Sequence, residues 1–430
     1  MNLYSVTIGF RSLFWRKRQY VSLFAVCIVG TAISLFSMFL IRGMMTSLTQ
    51  KAKIYYGGSL QFLGGDRNLY ITNAAQTIAA LKRIFPQNAV ISARSELDAK
   101  DCALYFEGTG VRQRVIKGID FTVEQRLFDG FSYVAGSARD MAGSDGVLLS
   151  EPIARMLGAA CGDVITFMLY TVDGYRNTVP LTVQGIFRDS SLFGMYTSYM
   201  DIDCLRRACG KPQNTADRIG IFFPDREPDM HEIQRYQAAL ENEFPMYPLV
   251  KDKHLFYDKL LGGELAQTTY ALIPLSANIQ EVQIIVAAIY SIAAFVIAAL
   301  VVIIIVGIGS TYRVLVMKRI NEIGIYMAIG MKKRGILAVF SAEALLLLVC
   351  GCCGGIGLSL LLSKSAELFD LSFIPAFDIF LTGGHLKPLP GIADCCNFTA
   401  LVVLTTMAAV LYAVWKSVRI SPVEALGVTE

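Results

Sequence analysis

Cysteine and histidine can form disulfides, bind metals or act in catalysis, and their spacing in this chain limits which of these the sequence predicts. Cys204 and Cys209 could form a disulfide if their compartment oxidises thiols. The cysteines at 350, 352 and 353 lie within an apolar run, which favours the packing of small side chains over metal or redox chemistry. The histidines at 231, 254 and 385 are scattered without metal-ligand spacing, so the sequence predicts neither a zinc site nor a catalytic site built on them.

The glycines and lysines do not form a nucleotide-binding loop. The one Gly-Lys pair, Gly210-Lys211, is followed by Pro212 and lacks the upstream glycine of a phosphate-binding loop. We therefore expect no enzymatic activity and no bound cofactor in this chain. If the protein does work, the energy must come from a separate subunit.

The composition is that of an integral membrane protein. Of 430 residues, 54% are hydrophobic and 17% are charged, and the mean hydropathy is +0.49, whereas soluble domains carry about 25% charged residues. Four runs reach the roughly 20 apolar residues that cross a bilayer, and they predict transmembrane helices at 20–42, 282–309, 336–363 and 395–415. The formal net charge of +4 is too small to indicate binding to nucleic acid.

Basic residues beside these runs predict the orientation, because lysine and arginine resist translocation. Segments 1–18, 310–335 and 416–430 hold 12 Lys and Arg against three Glu, whereas the loop 364–394 holds two basic and four acidic residues. Both termini and the loop 310–335 should therefore face the cytoplasm, with residues 43–281 outside. A cleaved signal peptide is the alternative for the N-terminus, but the apolar run of 22 residues is long for one and no small-x-small site follows.

Residues 43–281 have the pattern of a folded α+β domain. Short β-rich runs are separated by Gly, Asp and Asn turns, at Ser59–Leu63, Val111–Lys117, Val164–Tyr170, Val179–Phe187 and Arg218–Phe223. Helical patterns occupy Glu151–Leu157 and His231–Phe244. The predicted fold class is a membrane protein with four transmembrane helices and a large extracytoplasmic α+β domain inserted between helices 1 and 2.

Two cytoplasmic pieces have patterns that indicate a surface role. Residues 1–19 mix apolar and basic positions and predict an amphipathic helix along the membrane. In the loop 310–335, apolar residues recur at helical spacing among charged ones. This loop predicts either a helical hairpin on the lipid headgroups or a coupling helix held by an ATPase.

Glu343 interrupts the third predicted span. A charged side chain at mid-span costs about 2.5–3.5 kcal/mol on insertion scales, so Glu343 should have a partner. We expect the basic cluster at 332–334 to supply it, and a proton or substrate role is the alternative. In the same span, Gly351 and Gly355 form a G-x-x-x-G pair that permits close helix packing, which includes dimerisation.

The segment after the second span resembles that of a known family. The run from Lys318 to Lys333, KRINEIGIYMAIGMKK, is similar to the E-I-G-I-x-x-A-x-G-x-x-[RK] signature of FtsX-like ABC permeases. The tail RISPVEAL is similar to the R-x-x-P-x-E-A-L ending of that family, and the third span resembles its E…G-x-x-G pattern. The resemblance implies ATPase coupling and a tail motif at these residues: Arg319, Glu322, Ile323, Gly324 and Gly330, then Pro422 and Glu424.

The outer domain resembles another part of the same family. The runs Gly146–Gly158, Gly162–Ile165 and Val183–Phe187 are similar to the MacB-like periplasmic core domain. Tyr56–Gln61 and Ile116–Asp120 favour the lipoprotein-releasing (Lol-type) branch. The resemblance therefore implies a permease subunit that passes ATPase motion to its outer domain and releases lipoproteins from the membrane.

The same resemblance implies the partners and leaves two other functions open. The expected partners are a cytoplasmic ABC ATPase dimer that binds ATP and Mg, a second permease copy or paralogue, membrane lipid, and a lipoprotein or other cargo. Efflux of peptides or macrolide-like compounds is one alternative function. Mechanotransmission that activates an extracytoplasmic partner, such as a cell-wall hydrolase, is the other.

Overall fold

The computed structural model describes residues 17–66, 70–98, 102–112, 115–191, 193–224, 226–263 and 268–417. Residues 1–16 of the predicted amphipathic helix and the tail motif with Pro422 and Glu424 lie outside the described residues. The chain divides into two compact units. Among the described residues, we call 17–44, 287–369 and 386–417 the helical unit, and those within 45–286 and 370–385 the sheet unit.

Four helices of the described residues are long and apolar enough to cross a membrane. They are α1, α9, α11 and α12 in the following order of elements: α1 (Lys17–Tyr56), β1 (Leu60–Asp66), α2 (Ala74–Ile84), β2 (Val90–Asp98), β3 (Ala103–Phe106), β4 (Thr109–Arg112), β5 (Val115–Ile119), α3 (Phe121–Asp129), β6 (Tyr133–Gly136), β7 (Gly146–Ser150), α4 (Glu151–Leu157), β8 (Val164–Tyr170), β9 (Arg176–Phe187), β10 (Thr197–Asp201), α5 (Ile202–Cys209), β11 (Arg218–Phe222), α6 (Met230–Glu241), α7 (Lys253–Leu261), β12 (Thr268–Pro274), α8 (Leu275–Asn278), α9 (Gln280–Lys318), α10 (Ile320–Ala328), α11 (Lys333–Ala366), a 3₁₀ turn (Pro375–Phe380) and α12 (Ile392–Ser417). The four predicted apolar helices are confirmed, and their insertion into a membrane stays a prediction.

The first of these helices continues well beyond residue 42, where the predicted span ends. Residues 43–56 stay helical as far as Tyr56. Leu48 and Ala52 are buried at the i, i+4 spacing that lines one face of a helix. The hydropathy pattern indicates only the apolar run that is long enough to cross a membrane, so it did not predict that the helix continues through residues 43–56.

Small residues allow α11 to approach α1 closely within the helical unit. A Cβ on Gly351 would lie 2.7 Å from the Sγ of Cys27, and one on Gly355 would lie 2.6 Å from the Cβ of Thr31 and 2.9 Å from the carbonyl oxygen of Ile28. The G-x-x-x-G face is therefore occupied by a helix of the same chain rather than by a second copy. Sequence reasoning left dimerisation open because any closely packed helix satisfies this pattern.

The sheet unit is built on one mixed sheet of twelve described strands. Hydrogen-bonded neighbours follow the order β12-β1-β11-β2-β5-β10-β7-β9-β8-β3-β4, and β6 pairs with β9. The pairs β5–β10 and β7–β9 are parallel, and the other described pairs are antiparallel. A mixed domain of strands and helices is therefore confirmed.

Most of the predicted runs coincide with observed elements, and one is divided. The predictions Val164–Tyr170 and Glu151–Leu157 match β8 and α4 in their bounds. The single strand predicted at Val111–Lys117 is wrong, because the run is shared between β4 and β5. Glu107 and Gly108, with φ of 46° and 83°, form a two-residue turn that pairs β4 back onto β3. β5 instead pairs with β2 and β10.

A buried charge cluster joins the neighbouring strands β11, β2 and β5. Glu96 accepts a hydrogen bond from the Nζ of Lys117 at 2.8 Å and forms an ion pair with Arg218. Burial alone would raise the pKa of Glu96, but Arg218 and Lys117 outweigh it and lower the pKa to about 2. Burial, only partly offset by Glu96, lowers the pKa of Lys117 to about 8. The folded sheet therefore holds Glu96 ionised far below its ordinary range.

We expect Gly355→Ala to lower the melting temperature of the detergent-solubilised protein. The new Cβ would meet the backbone of α1, which cannot rotate aside, and overpacking costs about 1–3 kcal/mol. Gly357→Ala is the matched control, because a Cβ there meets no atom within 4 Å and alanine favours a helix by up to about 1 kcal/mol. Equal melting temperatures for the two variants would contradict the close contact between α1 and α11.

We also expect acid to destabilise the fold through Glu96. Because its pKa is lower in the folded chain than in the unfolded one, its stabilisation is complete above about pH 4.5 and is lost as the pH falls toward 2. This contribution is on the order of 3 kcal/mol. Denaturant unfolding of the full chain between pH 6 and pH 3 should show a flatter acid dependence for Glu96→Gln, which is also less stable at pH 6. A wild-type pH profile for Glu96→Gln would assign the acid sensitivity to other groups.

Candidate functional site

A buried ion pair lies where α9 ends and α10 begins. Arg319, between the two helices, has 4% of its side chain exposed, and Glu343 in α11 has 0% exposed. The Nη1 of Arg319 donates hydrogen bonds to the Oε2 and Oε1 of Glu343 at 2.8 and 3.0 Å. Removing one member of a buried pair costs about 3–5 kcal/mol, because the remaining charge is left unpaired. The pair therefore holds the start of α10 against α11.

Further side chains surround the same guanidinium. The Nε of Arg319 donates to the Oε2 of Glu322 at 2.9 Å, and its Nη1 donates to the hydroxyl of Tyr20 at 3.2 Å. Tyr20 donates in turn to Glu343. The ring of Phe340 lies 4.7 Å from the guanidinium carbon, a distance that suits a cation–π contact. We call these five residues the Arg319 network, and it joins α1, α10 and α11.

The partner of Glu343 differs from the one that the sequence predicted. The basic cluster at 332–334 was expected to pair with it, and the structure has Arg319 instead. Glu343 lies ten residues beyond Lys333, where α11 begins, which is about 15 Å along a helix axis. The cluster is therefore too far away for a direct ion pair. Spacing along one helix does not reveal a partner that another helix supplies.

α10 has a buried face and an exposed face. Two predicted coupling residues, Ile323 and Gly324, are buried, so they pack within the helical unit. Ile325 and Ile329 are 50% and 76% exposed, and their separation of four residues places them on the same side of the helix. We call these two residues the exposed α10 face. Their signal in the sequence is that they are apolar but out of phase with the buried positions.

Gly330, another predicted coupling residue, ends α10 for a conformational reason. Its φ is +87°, in the left-handed region that favours glycine at the end of a helix. A Cβ there would meet no atom within 4 Å, so space is not the constraint. The amide of Met331 donates to the carbonyl oxygen of Tyr326 at 2.9 Å and closes the turn. Gly330 thus sets the direction in which the chain enters α11.

The C-terminal end of α1 is capped by side chains of the sheet unit. Arg94, Lys117 and Gln61 donate hydrogen bonds to the carbonyl groups of the last three residues of the helix. Cationic side chains at this end also complement the helix dipole. Arg94 is held in turn by Glu124, with 3.0 Å between its Nε and the carboxylate Oε1, and both side chains are buried. We call Arg94, Lys117 and Gln61 the α1 cap.

Sequence reasoning did not identify the α1 cap as a site. Its signal is a charged residue inside an apolar strand, such as Lys117 between Ile116 and Gly118. Buried charges of this kind need partners, but the sequence does not show that the partners are carbonyl groups at the end of a helix.

Metal and disulfide chemistry have no geometric support among the described residues. No group of three or more His, Cys, Asp or Glu side chains there could hold a metal ion. Cys204 and Cys209 are free thiols five residues apart on α5. This spacing on a helix separates their Cα atoms by about 8–9 Å, beyond the roughly 7 Å that a disulfide spans. The disulfide that the sequence left open is therefore not formed.

Parts of this chain are similar to a known protein family and to a solved structure. Residues 294–422 match the family of the FtsX-like permease C-terminal domain. The chain is also similar to the crystal structure of the periplasmic region of MacB from Actinobacillus actinomycetemcomitans, with 12% identity and a TM-score of 0.32 over 52% of this chain and 92% of that one. No curated protein sequence matches the chain significantly. The family match covers residues 294–422, which contain in full two of the four helices that are long and apolar enough to cross a membrane.

Proposed function

We propose that this chain is the permease subunit of an ABC transporter and transmits the motion of an ATPase to its sheet unit. The observation that carries the proposal is the Arg319 network. Four of its five residues lie within the range 294–422 that matches the permease family. The network fixes α10, a short helix between two membrane-length helices, while leaving one apolar side of it exposed.

The membrane arrangement that we propose follows the distribution of basic residues. Segments 1–18, 310–335 and 416–430 carry 12 Lys and Arg, which resist translocation. The segment that contains α10 then lies in the cytoplasm with both termini, and residues 43–281 lie outside. The membrane is the inner (cytoplasmic) membrane.

A cytoplasmic ABC ATPase dimer, which binds ATP and Mg, is the partner that we assign to the exposed α10 face. Ile325 and Ile329 would insert into an apolar groove of the ATPase, while the Arg319 network resists tilting of α10 under load. Apolar residues spaced along one side of a helix are the anchors by which a helix binds in a hydrophobic groove. A second permease copy or paralogue would complete the assembly.

Lipoprotein release is the transport reaction that we assign. It is supported by the resemblance of Tyr56–Gln61 and Ile116–Asp120 to Lol-type permeases. Each of these runs contributes one residue of the α1 cap, Gln61 or Lys117, so both runs serve the connection between α1 and the sheet.

Because the assigned reaction is lipoprotein release, mass spectrometry of the purified complex should detect co-purifying peptides that carry a lipid-modified cysteine.

Charges on the exposed α10 face should separate the chain from its ATPase. We expect the double variant Ile325→Arg, Ile329→Arg to lower the amount of co-purified ATPase about 10-fold or more, because each of the few residues that dominate an interface contributes about 2 kcal/mol or more. The permease itself should stay folded, since both side chains are exposed. Quantitative affinity purification measures the ratio of the two proteins.

The matched control for this variant is Tyr175→Arg, which also places a cation at an exposed apolar position but in the sheet unit. It should retain the wild-type ratio of ATPase to permease. Wild-type co-purification by the double α10 variant would show that α10 is a surface helix without a role in docking.

A further inference from the structure

The segment between α11 and α12 folds as part of the sheet unit. Residues 370–385 belong to that unit and are closed on themselves. The amide of Leu371 donates to the carbonyl oxygen of Gly384 at 2.8 Å, and the amide of Thr382 donates to that of His385 at 2.9 Å. Inside the segment, the side chain of Asp378 is only 2% exposed. A loop normally keeps its charges in water, so this buried carboxylate indicates that the segment is held in place.

Lys51 of α1 joins the segment to the rest of the sheet unit. Its Nζ donates to the carbonyl oxygen of Asp378 at 2.6 Å and lies 3.4 Å from the Oδ2 of the same residue and 3.3 Å from the Oδ1 of Asp189. The backbone amide of Ser190 donates to the Oδ2 of Asp378 at 2.6 Å. Burial raises the pKa of Asp189. The raised pKa favours the neutral carboxyl group and so reduces the negative charge that Lys51 must balance. We call Lys51, Asp189, Asp378 and Ser190 the Lys51 cluster.

Two other contacts hold the same segment without charge. The hydroxyl oxygens of Ser47 and Thr382 are 2.6 Å apart, and Ser47 lies one helical turn before Lys51, so both use the same face of α1. Gly383 has φ of +61° and packs so closely on Ser132 that a Cβ would overlap its hydroxyl. The segment also lines part of a cavity of about 100 Å³, together with several aromatic rings.

We infer that Lys51 is a positioning residue that keeps segment 370–385 on the sheet unit throughout the transport cycle, so that α11 and α12 act on this unit as α1 does. The inference rests on the proposed function. Connections of three residues (367–369) and six residues (386–391) link the segment to α11 and α12. At about 3.5 Å per residue, these connections reach no further than about 11 Å and 21 Å. In the inferred arrangement, movement of either helix beyond that reach pulls on the segment, and the Lys51 cluster passes the pull to α1 and the sheet.

A cysteine cross-link tests whether the segment stays attached. Ser47→Cys and Thr382→Cys are combined in the full chain, purified with its ATPase and oxidised with copper phenanthroline. Mass spectrometry measures the rate at which the linked peptide forms, without nucleotide and with a non-hydrolysable ATP analogue and Mg²⁺. We expect the same rate in both states. A fall of about fivefold or more on binding the analogue, the change that a modest shift in equilibrium produces, would show that the segment detaches and would overturn the inference.

Substitution of the lysine tests its role in the same background. Lys51→Met should lower the cross-linking rate about fivefold or more, and Lys51→Arg, which keeps the charge, should restore it. Lys53→Met is the matched control on the same helix, because Lys53 pairs with Glu227 outside the segment. ATP hydrolysis by the complex should stay unchanged in Lys51→Met, since the exposed α10 face is untouched. An unaltered cross-linking rate in Lys51→Met would overturn the inference.

The outcome is separable from that of the proposed function. If no ATPase co-purifies with the chain, the proposed function fails. Cross-linking of the chain alone would then still decide whether Lys51 holds segment 370–385.

Discussion

The ion pair between Arg319 and Glu343 is the interaction on which the arrangement of the helical unit depends. Neither side chain is exposed by more than 4%, and a charge in such a place is tolerated because the opposite charge faces it. Tyr20 and Glu322 satisfy further donors and acceptors of the pair. The position where α10 starts is therefore set from the interior of the helical unit. The orientation of α10 about its own axis that buries Ile323 also leaves the exposed α10 face accessible.

α1 carries defined interactions at both of its described ends. Tyr20 near its beginning belongs to the Arg319 network, and its last three carbonyl groups are bound by the α1 cap. Lys51, one turn before the cap, holds segment 370–385. α1 is a single helix from Lys17 to Tyr56. In the proposed function, this helix is the main path from the ATPase to the sheet unit.

The sequence predicted the elements of the fold better than the contacts between them. Apolar runs and turn residues located the four long helices, β8 and α4, because these signals are local. The partner of Glu343, the helix that fills the Gly351 and Gly355 face, and the burial of Asp378 were not predictable in this way. Each depends on a residue far away in the chain, and hydrophobic periodicity reports only which side of one element is buried. The family motif drew attention to Arg319 without showing that its side chain points inward.

The central claim is that the ion pair positions α10, rather than merely stabilising the bundle. Arg319→Met and Glu343→Leu, made singly and together, separate these roles, because replacing both charges by apolar groups removes the unpaired charge that each single variant leaves. The measurement is the melting temperature of each purified variant beside its ratio of co-purified ATPase. We predict that both single variants lose stability and ATPase, and that the double variant recovers its melting temperature while its ATPase ratio stays low. Wild-type ATPase ratios in all three variants would contradict the account.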